Sequence, residues 1–195
     1  VVATAIEQDL RSWSREVLEL PSKHLKGIPP CPYARKAWRE DRVLVVESDD
    51  FEADVIRHCR DFYGFNKDLI IVSTYAIPDI DDFSAFIVEL NEKYASLHCM
   101  QFHPDYGAEE AELDFLSDND WESAAPQEYC MVFIQDLRLV VTASDRLEAL
   151  GYYAAYPHDE YETLVVNRKR RLTHGNETSR NEERSQEKDD ARRHD

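Results

Sequence analysis

Between Arg42 and Phe102 the chain alternates between short β-branched runs and longer stretches of helical periodicity, and few folds accommodate that order. Arg42–Glu47 (Arg-Val-Leu-Val-Val-Glu) and Leu69–Thr74 are compact apolar runs of the kind that form buried strands. Leu97–Phe102 is a third run, less uniform because it carries His98 and Gln101. The first interval places Phe51, Val55, Cys59 and Phe62 on one helical face, behind an Asp49/Glu52 capping box and ahead of Gly64 as a stop. The second opens at Pro78-Asp79 and turns Phe83, Phe86, Ile87, Leu90, Tyr94 and Leu97 inward. Each crossover is long enough for a βαβ unit. The expectation is an α/β (or α+β) domain, a βαβαβ-type sheet with helices packed on it.

Further helices are expected at both ends. Ile6, Leu10, Trp13, Val17 and Leu20 recur at helical spacing from Thr4 to Leu20, with Thr4 and Glu7 as a capping box and Pro21 as the stop. Pro21–Pro32 reads as a proline-stiffened loop, and a short helix follows over Ala34–Trp38. Beyond Tyr106 a short acidic helix is expected over Glu109–Leu116 and a polar loop over Ser117–Gln127. Cys130–Ile134 and Leu137–Val141 read as two more strands or as buried helix, which continuous apolar runs do not separate, and Ser144–Tyr153 and Asp159–Leu172 as helices. From Thr173 onward Ala191 is the one aliphatic residue, too little apolar surface to offset chain entropy. The domain is therefore expected over residues 1–172, with 173–195 a disordered polar tail.

The net charge is −17, and the basic residues concentrate from Asn167 onward, so the body is more acidic than the total suggests. Such a surface repels phosphate backbones, which excludes ordinary nucleic-acid binding. No apolar run approaches the ~20 residues that span a bilayer, so no membrane association is expected. The start lacks a basic segment followed by an apolar one, and Cys31, Cys59, Cys99 and Cys130 form no zinc pattern; a cytoplasmic chain with reduced thiols is expected.

Two strings carry candidate chemistry. Phe102-His103-Pro104-Asp105-Tyr106 falls just past the carboxyl end of the third strand, where open α/β sheets bind ligands. His103 could move a proton or hold a metal, with Asp105 to orient it. Cys31-Pro32-Tyr33-Ala34 places a thiol at the start of a helix, where backbone amides favour thiolate, with Arg35 and Lys36 beside it. His103, Asp105 and His158 would also make the two-histidine, one-carboxylate set of non-haem iron, with Arg168 ten residues beyond His158 as an anion anchor. Enzymes of that kind are double-stranded β-helices, whereas the segments here read as helical. No Gly-rich phosphate loop and no Gly-x-Ser-x-Gly elbow is present.

Taken together, the two strings resemble a bacterial family known only as a domain of unknown function, which carries Cys-Pro-Phe-Ala near its start and Phe-His-Pro-Asp-Tyr near its middle. The resemblance runs from about Ile6 to Tyr106 and includes Asp82-Phe83 at the opening of the third helix. Where that family has Asn-Arg-Ser-Pro-Tyr-Pro, this chain reads Asp118-Asn119-Asp120-Trp121-Glu122-Ser123. The resemblance implies a shared site without naming its chemistry.

The first functional expectation is a small-molecule enzyme, metal- or thiol-dependent and able to do redox chemistry. His103 is its acid/base or metal ligand, Asp105 the partner, and Cys31 a nearby nucleophile or redox thiol. Arg35, Tyr106 and Arg168 bind the substrate; the sequence leaves the cofactor unknown, a divalent metal such as iron being one option. It requires Cys31 within about 10 Å of His103. The second is a non-catalytic acidic interaction protein that binds a basic partner.

Overall fold

The computed structural model describes residues 3–23, 25–105 and 128–174. The expected helix Glu109–Leu116, the loop Ser117–Gln127 and the candidate Tyr106 lie outside the described residues, as do 175–195 of the expected tail.

The amino-terminal helix α1 spans Ala5–Trp13, and its Ile6, Leu10 and Trp13 are buried. Thr4 Oγ1 accepts from the Glu7 amide at 3.2 Å, but the reciprocal half of the capping box is not made. Glu7 instead pairs with Arg11 one turn on, at 2.8 Å. The expected continuation to Leu20 is a π turn over Ser14–Leu18, whose extra residue per turn keeps both Ser14 and Leu18 buried. The proline-rich loop then crosses the surface, and α2 follows as Ala34–Arg39.

Four strands form one mixed sheet in the order β1-β2-β4-β3: β1 Val43–Glu47, β2 Leu69–Thr74, β3 Leu97–Phe102 and β4 Cys130–Asp136. β1 and β2 are parallel neighbours joined by α3 (Phe51–Arg60), the expected βαβ unit. α4 (Ile80–Lys93) carries the chain from β2 to β3, but β4 runs antiparallel between those two strands. The composition of β4 explains its place. All its residues except Gln135 are buried, so both its faces need cover, and only a central position supplies that.

Alternation along the strands divides the core in two. Ile71, Phe102, Met131 and Phe133 pack against Ile6, Leu10 and Trp13 of α1, with Cys31 and Trp38 at the margin. On the opposite face Ile70, Val72, Val132 and Ile134 pack against Val55 and Cys59 of α3 and Phe83, Ile87 and Leu90 of α4.

Several local expectations are corrected. Leu137–Val141 is not a strand but the first turns of α5 (Leu137–Ala149). Its apolar run suits either period, and the Asp136 carboxylate decides the outcome by accepting from the Leu139 amide at 3.0 Å. The Asp49/Glu52 box does not form. Asp50 is the cap residue and its side chain makes no capping bond, while Ser48 Oγ donates to Asp54 at 2.7 Å instead. Gly64 does not stop α3, which ends at Arg60. A 3₁₀ turn follows over Phe62–Phe65, closed by Asn66 in the left-handed region at φ 53°. After α5 comes a 3₁₀ turn (Tyr152–Ala155), then α6 (His158–Tyr161), a π turn (Glu162–Val166) and a last helix, α7, over 167–174, so helix continues two residues past the expected domain limit. Among the described residues, no helix is long and apolar enough to cross a membrane.

Candidate functional site

β1, β2 and β3 run the same way and β4 runs against them, so the carboxyl ends of the first three and the amino end of the fourth share one rim. His103 sits there. Phe102 turns into the α1 face, and His103, one residue on, turns to the other, its ring 5.9 Å from that of Phe83 on α4. The Asp105 amide donates to Nδ1 at 3.1 Å, which assigns the ring proton to Nε2, and Nε2 donates to the Pro78 carbonyl at 3.0 Å. The imidazole is 1% exposed and the Asp105 carboxylate is 3.8 Å away, 75% exposed. Both nitrogens are thus engaged by backbone, and the ring fastens the turn after β3 to the loop before α4.

Cys31 lies elsewhere. It packs at the margin of the α1 face, with its amide bonded to the Leu18 carbonyl at 3.0 Å, whereas His103 contacts the α4 face. Cys31 thus packs with the α1 cluster, and His103 with Phe83 of the α4 cluster. The expected activation of Cys31 is reversed: burial pushes the thiol above the ordinary cysteine range, outweighing the hydrogen bonds of the Tyr33 and Ala34 amides, and Glu19 pushes the same way. Arg35 is exposed and donates to Glu19 at 2.9 Å. His158 is exposed at the first residue of α6. Among the described residues, no group of three or more His, Cys, Asp or Glu side chains is placed to hold a metal ion.

What the rim gathers instead is negative charge. Glu47 ends β1, Asp49 and Asp50 follow it, Asp79, Asp81 and Asp82 open α4, Asp105 follows β3 and Glu128 precedes β4, and all are exposed. The loops 48–50, 75–79 and 103–105 hold no Lys or Arg. Tyr75 and Ile77 stand among these carboxylates, 50% and 47% exposed. Beneath Tyr75 lies Tyr129, 1% exposed, the two rings edge to face at 5.7 Å. The Tyr129 hydroxyl is buried with no hydrogen-bond partner among the described residues. Burial pushes its pKa up, and the charges of Asp9 and Glu128 and the Tyr75 phenol add to that.

Arg168 occupies a second setting, at the other end of β3. It is part-buried beside Arg171, His98, Tyr153 and Tyr156, and burial holds its guanidinium below the usual arginine range. The sequence singles out Arg168 and sets Arg171 in the same basic run, but it gives His98 no ligand spacing and does not pick out Tyr75 and Tyr129 at the rim. The usable signal for His98 was its polarity within an apolar strand.

No family model matches this chain, and no curated protein or solved structure does either. The resemblance carried by the Cys31 and Phe102–Tyr106 strings therefore rests on those strings alone.

Proposed function

We propose that the chain is a non-catalytic acidic interaction protein whose partner is basic and docks on the rim at the carboxyl ends of β1, β2 and β3. The observation that carries this reading is the convergence of carboxylates from separate loops around exposed Tyr75 and Ile77, with no cation in those loops. A single exposed ion pair contributes about 0–1 kcal/mol, so charge alone gives steering and selectivity rather than tight binding. An aromatic anchor inside a charged ring adds affinity. Tyr75 has that position, and the Tyr129 hydroxyl beneath it, without a partner among the described residues, is a polar group that an incoming donor or acceptor satisfies. The enzyme reading built on His103, Asp105 and Cys31 draws less support, because both ring nitrogens are engaged by backbone groups and the thiol packs into the α1 cluster with its pKa raised by burial.

The same rim repels phosphate, so nucleic acid falls outside the proposed partners. The cysteines in the described structure are free thiols, which supports a reducing, cytoplasmic setting. Membership in the uncharacterised family remains part of the proposal, on its two strings.

The test is fluorescence anisotropy with a Lys/Arg-rich peptide at low and at physiological salt. Binding that weakens steeply with salt, and weakens again in Asp81→Lys/Asp82→Lys, supports the reading. Salt-insensitive binding, or equal binding by the charge-reversed variant, defeats it.

A further inference from the structure

The carboxyl-terminal helix α7 carries four consecutive cations, Arg168 to Arg171, and three of them have evident partners. Lys169 pairs with Asp145 and Glu148, each at 2.8 Å. Arg170 pairs with Glu162 at 2.7 Å. Arg171 donates through Nη2 to the backbone carbonyls of Asn91 and Leu97, at 2.8 and 2.9 Å, which fixes the helix against the start of β3. Arg168 is the exception: among the described residues it has no ion pair and no hydrogen bond, although it is part-buried and the chain carries a large excess of carboxylates.

Arg171, one turn on from Arg168 on the same helix, lies against His98, and that ring has the same deficiency. His98 Nδ1 lies 3.4 Å from Arg171 Nη1, a donor, so Nδ1 is the acceptor and the proton resides on Nε2. Nε2 is shielded from solvent and has no partner among the described residues. Both guanidinium groups act on the ring, Arg168 more strongly than Arg171. Among the described residues no carboxylate stands among the charges acting on Arg168, and the phenols beside it, Tyr153 and Tyr156, are neutral near pH 7. The unfilled groups here are therefore all donors: the planar fork of Arg168 and the Nε2–H of His98. A desolvated cation without an acceptor is costly, and a fork of parallel N–H groups matches the paired oxygens of a carboxylate or a phosphate.

We propose that Arg168, Arg171 and His98 form a binding site for a small oxyanion, a carboxylate or phosphate group carried on a small molecule. Arg168 holds two oxygens bidentately, His98 Nε2 donates to one of them, and Arg171 supplies the second positive charge from its fixed position. Tyr153 and Tyr156, their rings 5.2 Å apart, wall the site on the side of the 3₁₀ turn and meet the body of the ligand. The site is separate from the acidic rim and independent of its proposed role.

Thermal unfolding of the full chain at neutral pH tests this with inorganic phosphate and citrate as probes, against sodium chloride of matched ionic strength. The expected result is a rise in Tm with at least one probe beyond the chloride control. Arg168→Gln is expected to lose that rise while its own unliganded Tm stays at or above wild type, since it removes a cation with no partner. Calorimetric titration with the same probe is expected to show at least a tenfold loss of affinity. If Arg168→Gln does not fold, Arg168→Lys keeps the charge without the fork and is expected to bind at least tenfold more weakly. No rise with either probe overturns the proposal, including the case in which a carboxylate from elsewhere in the chain already fills the site. An equal rise in wild type and Arg168→Gln also overturns it.

Discussion

At the carboxyl ends of β1, β2 and β3 the charged groups are carboxylates left in water, whereas near the amino end of β3 they are cations, three of the four paired or bonded and only Arg170 exposed. The rim collects its acids from loops that share no local sequence, around an exposed tyrosine and isoleucine. The α7 side draws its cations from one short run and satisfies most of them with carboxylates of α5 and the π turn and with backbone carbonyls. A uniform excess of negative charge would have scattered both signs. Under the proposed function the rim is left unpaired for a partner, and Arg168 is the α7 cation with no partner among the described residues.

The largest expected effect strikes both ends equally and serves as the control. Ile134 is fully buried at the centre of β4, and Ile134→Ala is expected to cost about 2–5 kcal/mol in denaturant unfolding, lowering peptide and anion responses together through lost folded protein. Tyr75→Ala is next. It should weaken binding of the basic peptide by about 2 kcal/mol, roughly 30-fold, with stability and the anion response untouched. If the anion response falls as well, the two ends are not independent.

Acid should distinguish the ends too. Burial, then Arg168, then Arg171, hold the His98 pKa well below 6.5 in the folded chain. The unfolded chain therefore binds the proton first. His98 contributes its full stability above about pH 6.5 and loses it progressively as pH falls toward the folded value, with a slope of at most about 1.4 kcal/mol per pH unit. Urea midpoints measured between about pH 7 and 5 should drop in wild type and drop less in His98→Gln. Equal slopes would remove the buried neutral imidazole from the account. The smallest effect compares helix caps. Asp136 caps α5 and Asp79 caps α4, and removal of either cap typically costs about 1 kcal/mol. Asp79→Ala should cost less than Asp136→Ala, because it also relieves repulsion with Asp81 and Asp82 at the rim.

Much of the scaffold was readable in the chain itself because its signals are local. The runs Leu69–Thr74 and Leu97–Phe102 are strands to the residue, and Asp79 caps α4 as its position implies. The insertion of β4 between β2 and β3 was not readable, since pairing Phe102 with Met131 is a long-range choice made by burial rather than by neighbours in sequence. Leu137–Val141 misled because an unbroken apolar run has no period, and the deciding carboxylate lies one residue before it. Cys31 misled because amides at a helix start and burial act in opposite directions on a thiol, and spacing cannot say which is larger. Arg168 could be singled out as an anion anchor, but its neighbour His98 stands seventy residues away, a proximity that no motif encodes.

The late arrival of β4 has a consequence for biosynthesis. While the nascent polypeptide has emerged only as far as residue 105, β1 and β2 can pair, but β3 has no neighbour to bond and β2 presents an open, apolar edge. Sheet closure waits until the segment after residue 128 leaves the ribosome and threads between them. Until then that edge is exposed to any other strand, so production should be most vulnerable to aggregation when synthesis stalls within this interval.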